Sequence, residues 1–201
     1  MLAQVLIAGW LALQSASGQS SGAQTPPSAV ASQPNSAHPD AALWIAVPFV
    51  PQTTDGCGSA TLAMVIRYWQ QARHEPATAD AEAIQQQLFN RRAHGIYASR
   101  MVEYLRQSGF AAFAFHGEWS DLEHHVALGR PLIVALRDGG AHGPLHYVVV
   151  VGVSDDAVYV NDPARQRMLH LARAGFLKAW SATDDWTLLA TPHSSVDHAG
   201  A

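Results

Sequence analysis

The chain has 201 residues, of which 48% are hydrophobic and 14% charged, with six tryptophans and a formal net charge of −4. That is enough apolar material for the core of one ordinary domain, and too little positive charge for the basic face that nucleic-acid binding normally requires. A single cysteine excludes an internal disulfide and a thiolate metal site, which leaves packing, intermolecular pairing or catalysis for that thiol.

Residues 1–23 hold an apolar stretch of signal-peptide length, with small residues at Ala16 and Ala23 where cleavage could follow. Export to a periplasmic or secreted location is expected, although no Lys or Arg precedes the apolar run. No cysteine stands near the cleavage region, so no lipid anchor is expected, and the processed chain is not expected to be an integral membrane protein. Residues 24–42 are rich in Ser, Ala, Gln and Pro, the composition of a flexible linker. The folded domain is expected over 43–190 and a disordered tail over 191–201.

The stretch "VPFVPQTTDGCGSATLAMVIRYW" (47–69) opens with turn-forming residues and continues into an almost unbroken apolar run, as in a helix buried on most sides. Residues 80–90 and 99–107 read as amphipathic helices with polar caps. "FAAFAF" (110–115) reads as a strand, and "WSDLEHHVALGR" (119–130) as a helix capped by Ser120 with Glu123 three residues on and closed by Gly129. Runs at 131–136, 146–153, 157–162 and 186–190 are rich in β-formers. Helices first and strands later imply an α+β domain, helices packed on an antiparallel sheet.

Cys57 stands at the head of the first helix, where unpaired backbone N–H groups and the positive end of the dipole favour a thiolate. A lone cysteine is commonly only a small buried apolar side chain, so a nucleophile must be argued from its partners. Of eleven histidines, His146 is the one that opens a Val-rich strand directly after a glycine-rich loop. "SDD" (154–156) predicts a hairpin turn; centred on Ser154 and free of bulges, it would set His146 directly opposite Asp162. Facing residues have Cβ atoms about 4.5–5.5 Å apart, so the carboxylate could hold the imidazole. The same parity turns Asn161 to the other face. His124, His125, His142 and His146 do not have a structural zinc spacing, and no metal or other cofactor is expected.

The segment 47–69, together with "LHYVVVVGV" and "VYVNDPA", resembles the cysteine, histidine and aspartate boxes of the bacteriocin-processing, double-glycine leader peptidase family, including its stand-alone members. The likeness runs over about residues 45–190. It implies a papain-like cysteine peptidase fold with Cys57 as nucleophile, His146 as general base and acid, Asp162 orienting the imidazole and Gln52 as an oxyanion donor. Ser59 departs from the proline many members carry, and the membrane and ATPase domains of the transporter members are not in this sequence, so the leader-peptide substrate is not carried over. The implied activity is hydrolysis of a peptide or protein substrate through an acyl-enzyme thioester. Another acyl transfer, such as amide hydrolysis, or a catalytically silent peptide-binding module are the alternatives.

Overall fold

The computed structural model describes residues 43–137 and 143–193. Segments 1–23 and 24–42 and most of the expected tail therefore lie outside the described residues. The described residues open with a two-residue strand β1 (Leu43–Trp44).

The apolar run forms α1 (Cys57–Ala72), in which every residue from Gly58 to Ile66 is buried. A helix buried all round must also bury its polar side chains paired. The Thr61 hydroxyl accordingly lies 2.9 Å from the Cys57 carbonyl and 3.0 Å from that of Gly58. Leu62 is fully buried in this helix. Leu62→Ala is expected to cost about 2–5 kcal/mol of stability, read as a lower midpoint in urea unfolding with an unchanged slope.

Two amphipathic helices follow, α2 (Ala81–Leu88) and α3 (Ala98–Gln107). The first begins at Asp80, whose carboxylate accepts the Glu82 N–H, as the polar cap predicts. It ends two residues earlier than expected, because Asn90 leaves the helix to form a β-bridge with Gly95. After β2 (Phe110–His116), helix α4 (Trp119–Ala127) starts one residue before the expected cap. Its reciprocal capping box uses Glu118 and Asp121 rather than Ser120 and Glu123. A glutamate can fill the role of the cap because its carboxylate also accepts the N–H three residues on. Gly129 does close the helix, at φ +68°, the left-handed conformation that suits glycine.

Strands β3 (Leu132–Arg137), β4 (Leu145–Val153), β5 (Ala157–Asn161) and β7 (Trp186–Pro192) occupy the expected runs, the last continuing two residues further. Between them lie β6 (Leu169–Ala172) and α5 (Arg173–Ser181), which the sequence pattern does not announce. All pairings are antiparallel, in the order β2-β7-β3-β4-β5-β6, with β1 alongside the end of β4.

Helices cover both faces of this sheet. Tyr147, Val149 and Val151 pack in one core with α1, α2 and α3, whereas Val148 and Val150 pack in the other with α4 and α5. A strand buried on both sides has no need of polar alternation, which explains the unbroken valine run. The register of β4 and β5 differs from the ideal hairpin. Val153 pairs with Val158 and Gly152 with Tyr159, then a bulge intervenes, and Val150 pairs with Val160 and Val149 with Asn161. Among the described residues no helix is long and apolar enough to cross a membrane.

Candidate active site

Cys57 is the first residue of α1, preceded by Gly56 at the cap position with no side chain capping the helix. The first N–H groups of an α-helix have no partner within it. Here no carboxylate lies in the first turn to occupy that positive end, which leaves it directed at the thiol. The turn 53–56 aims the helix, with Asp55 in the left-handed region at φ 56° and Gly56 N–H donating to the Thr53 carbonyl at 3.0 Å.

His146 is the second residue of β4, and its Nε2–H donates to Asp162 Oδ1 at 2.7 Å. The turn is centred between Asp155 and Asp156 rather than on Ser154, and the bulge then shifts the register back by one; together they take these residues out of direct opposition. Extending the observed pairing sets Asp162 opposite Val148, so His146 is a diagonal neighbour. Diagonal residues are on the same side of a sheet and about 7–8 Å apart at the backbone, which two polar side chains can bridge. Asn161 turns to the other face, as parity requires, where its amide donates to the Val47 carbonyl at 3.1 Å and its oxygen accepts the Met168 N–H at 3.0 Å.

The Cys57 side chain also acts on the imidazole, through hydrogen bonding and charge that favour its protonated form. Burial by itself would lower the His146 pKa. The hydrogen bonds to Asp162 and Cys57, and the charges of both, outweigh it and raise the value to about 9. Asp162 is almost completely buried. Burial works to raise its pKa, but the His146 hydrogen bond and charge, the Ala164 N–H at 2.9 Å and the Arg165 guanidinium hold it below the usual carboxylate value. Arg165 Nε lies 3.6 Å from Asp162 Oδ2, on the solvent side of the pair.

Gln52 shares the cleft with Cys57 and His146, and its backbone N–H donates to the Pro163 carbonyl at 2.9 Å. That bond ties the loop before the nucleophile to the residue after Asp162. Its side-chain Oε1 is buried and has no hydrogen-bond partner among the described residues.

The cleft has a volume of about 480 Å³ and brings all four sequence-derived residues to one place, with Asp162 just behind His146. It also has lining residues the sequence did not single out. Asp55 and His94, both at positive φ and 3.7 Å apart, form part of the wall, and Tyr147 forms another. Burial, and secondarily the charge at Cys57, raises the Tyr147 pKa and keeps the phenol neutral. Positive φ at a non-glycine residue leaves no mark in sequence, and Tyr147 reads there as one more strand former. Among the described residues no three His, Cys, Asp or Glu side chains gather closely enough to hold a metal ion.

Three solved structures share this arrangement of helices and sheet. A C39-like peptidase from Bacillus anthracis matches with a TM-score of 0.63 and 17% identity, over 78% of this chain and all of that one. The peptidase domain of Streptococcus ComA, a bifunctional ABC transporter of a quorum-sensing pathway, matches with a TM-score of 0.58 and 22% identity, over 74% of this chain and all of that one. The double-glycine motif protease of an AMS/PCAT transporter, solved with its leader peptide, gives 0.57 and 22%, over 74% and 94%. No curated protein sequence matches the chain. The likeness identifies a papain-like peptidase fold with a mixed helical and antiparallel-sheet architecture, and the family model covers residues 44–187, most of the chain. By that match the chain belongs to the Peptidase_C39 like family, which, with the fold, supports a cysteine peptidase function.

Proposed function

We propose that this protein is a cysteine peptidase that hydrolyses peptide bonds through a Cys57–His146–Asp162 triad, with Gln52 as an oxyanion donor. The observation that carries the reading is the bridging imidazole. His146 is hydrogen-bonded to a buried carboxylate at 2.7 Å and interacts with the side chain of Cys57, at an uncapped helix N-terminus in the same cleft.

The chemistry follows from those contacts. With its pKa near 9, His146 holds a proton at neutral pH, and as an imidazolium it is the partner a cysteine nucleophile needs. The sulfur attacks the scissile carbonyl, and negative charge passes to the carbonyl oxygen. The Cys57 N–H, at a helix start with no side-chain cap, and the Gln52 side-chain Nε2–H meet that oxygen. As the tetrahedral adduct collapses, His146 gives its proton to the departing amine and a thioester remains. The now neutral imidazole takes a proton from water, hydroxide adds to the thioester, and the acid leaves as the thiolate–imidazolium pair re-forms. Asp162 keeps Nε2 occupied throughout, so Nδ1 always faces the reaction.

An open cleft and a family of peptidases support a peptide or protein segment as substrate. The apolar stretch in residues 1–23 supports action outside the cytoplasm. A mixed peptide library incubated with the enzyme and read by mass spectrometry tests the activity. Wild type is expected to cleave a subset, and Gln52→Ala to cleave the same subset with kcat about 10²–10³-fold lower. A wild-type protein that cleaves none of the library, at any pH between about 6 and 9, would sink the reading.

A further inference from the structure

The roles proposed for Gln52 and Cys57 require that the five-residue interval between them hold one shape, since both must address the same oxygen atom. The turn has few constraints of its own. Asp55 is in a left-handed conformation that L-residues resist, and Gly56 has no side chain with which to cap α1. Beyond the Gly56–Thr53 bond and the tie from Gln52 to Pro163, a constraint comes from a distant helix. Gln85, in α2, donates from Nε2 to the Thr54 carbonyl at 2.8 Å. Its Oε1 accepts from the Thr53 hydroxyl at 3.2 Å and lies 3.0 Å from the Ser59 hydroxyl, whose proton is shared with the Gly56 carbonyl, also 3.0 Å away.

One amide thus touches the chain on both sides of the nucleophile. The site is matched to an amide: the donor end meets a carbonyl and the acceptor end meets two hydroxyls, which neither an ionised carboxylate nor an apolar side chain of that length satisfies. The chain makes room for it as well. A Cβ on Gly56 would stand 2.5 Å from Gln85 Oε1 and 3.0 Å from the Thr53 carbonyl, so only glycine permits this approach. Gln85 is not what anchors its own helix. Ile84 and Leu88 supply the buried contacts of α2 and Asp80 its cap.

We propose that Gln85 is a positioning residue that clamps the turn 53–56 and so fixes the Gln52 amide and the Cys57 thiol relative to each other. The proposal rests on the peptidase reading above for what those two groups do. The Ser59 hydroxyl serves as a rung between the clamp and the helix start.

The test compares Gln85→Met, similar in length but without a hydrogen-bonding amide, and Gln85→Glu with wild type. For a peptide the wild type cleaves, Gln85→Met is expected to lower kcat by about 10–100-fold, as displacement of reacting groups by a fraction of an ångström does, with KM within about twofold. Its Tm should stay within about 4 °C of wild type. Gln85→Glu keeps the acceptor end but sets a carboxylate against the Thr54 carbonyl. Its activity relative to wild type should rise as pH falls through about 4.3, where the carboxyl gains a proton it can donate. A Gln85→Met kcat within twofold of wild type, a loss carried by KM, or a Gln85→Glu ratio flat with pH overturns the proposal. Should Gln85→Met fail to fold, the Gln85→Glu ratio decides alone. Iodoacetamide labelling of Cys57 across pH separates this result from the fate of the peptidase reading. If wild type cleaves no peptide, slower labelling of Gln85→Met near neutral pH still supports the clamp, and identical labelling profiles overturn it.

Discussion

Cys57→Ala is expected to reduce peptide cleavage by at least about 10⁴-fold while leaving the fold intact. The size follows from the absence of any substitute: Cys57 is the only cysteine of the chain, and no other group offers the reacting carbon a nucleophile paired with His146. The fold should tolerate the change because alanine keeps the Cβ, and the backbone carbonyl of residue 57 still meets the Thr61 hydroxyl. A second readout is independent of substrate. The hydrogen bond to Cys57 and its charge both help raise the His146 pKa, so in Cys57→Ala the imidazole should titrate below about 9, as followed by NMR of its ring protons. Cleavage within tenfold of wild type would sink the assignment of nucleophile, and an unmoved His146 titration would show that the two side chains do not interact.

Asp162→Asn should give the next largest loss, about 10²–10³-fold in kcat/KM near pH 8. Both the imidazole and the Ala164 N–H direct a hydrogen at Asp162 Oδ1, so the amide oxygen of asparagine can stand in the same place without the charge. The geometry survives and the electrostatics do not. Burial then weighs more heavily on His146, whose pKa falls back from about 9 toward the ordinary 6.5. Activity requires the protonated ring, as ion-pair partner and as donor to the leaving amine. The alkaline limb of the pH–rate profile is therefore expected near 9 in wild type and to move down by one to two units, roughly, in Asp162→Asn. Superimposable alkaline limbs would refute the proposed role.

The same pair links stability to pH. His146 has a folded pKa above its unfolded value, so its contribution is fully present below about 6.5 and lost as pH rises through about 9. Asp162 has a folded pKa below its unfolded value, so its contribution is present above about 3.9 and lost as pH falls through the lower folded value. Urea unfolding of wild type should show this stabilisation between those limits, and Asp162→Asn should flatten both ends.

Much of the site is legible in local patterns. A cysteine followed by small residues and a long apolar run announces a buried helix with the thiol at its head, and β4, β5 and the turn between them follow from β-formers interrupted by "SDD". Asp162 shares a side of the sheet with His146 and Asn161 does not, because the bulge shifts by one residue a register that the turn alone would have set with His146 and Asp162 on opposite sides. What local pattern mistook was distance along the strand. A bulge depends on how two strands and their neighbours pack, here with β1 joining the end of β4, and single-strand alternation carries no trace of it. Helix α5 and strand β6 were missed for a related reason. Their buried positions are few, Phe176 and Trp180 in the helix, and they gain meaning only against the sheet face they cover.

By itself, then, the sequence determined which residue types stand at element ends: Cys57 at a helix start, His146 at a strand start, Asp162 at a strand end, and Gln52 five residues before the thiol. These are one-dimensional facts, set by periodicity and turn chemistry. The tertiary structure alone decided that helices cover both faces of the sheet, that His146 reaches Asp162 diagonally, and that Gln85 locks the turn before Cys57. Hydrogen-bond partners 26 to 32 residues apart, as in that last case, are chosen by the way two helices dock, and docking is fixed by side-chain packing summed over the whole core rather than by the identity of the few residues that meet there.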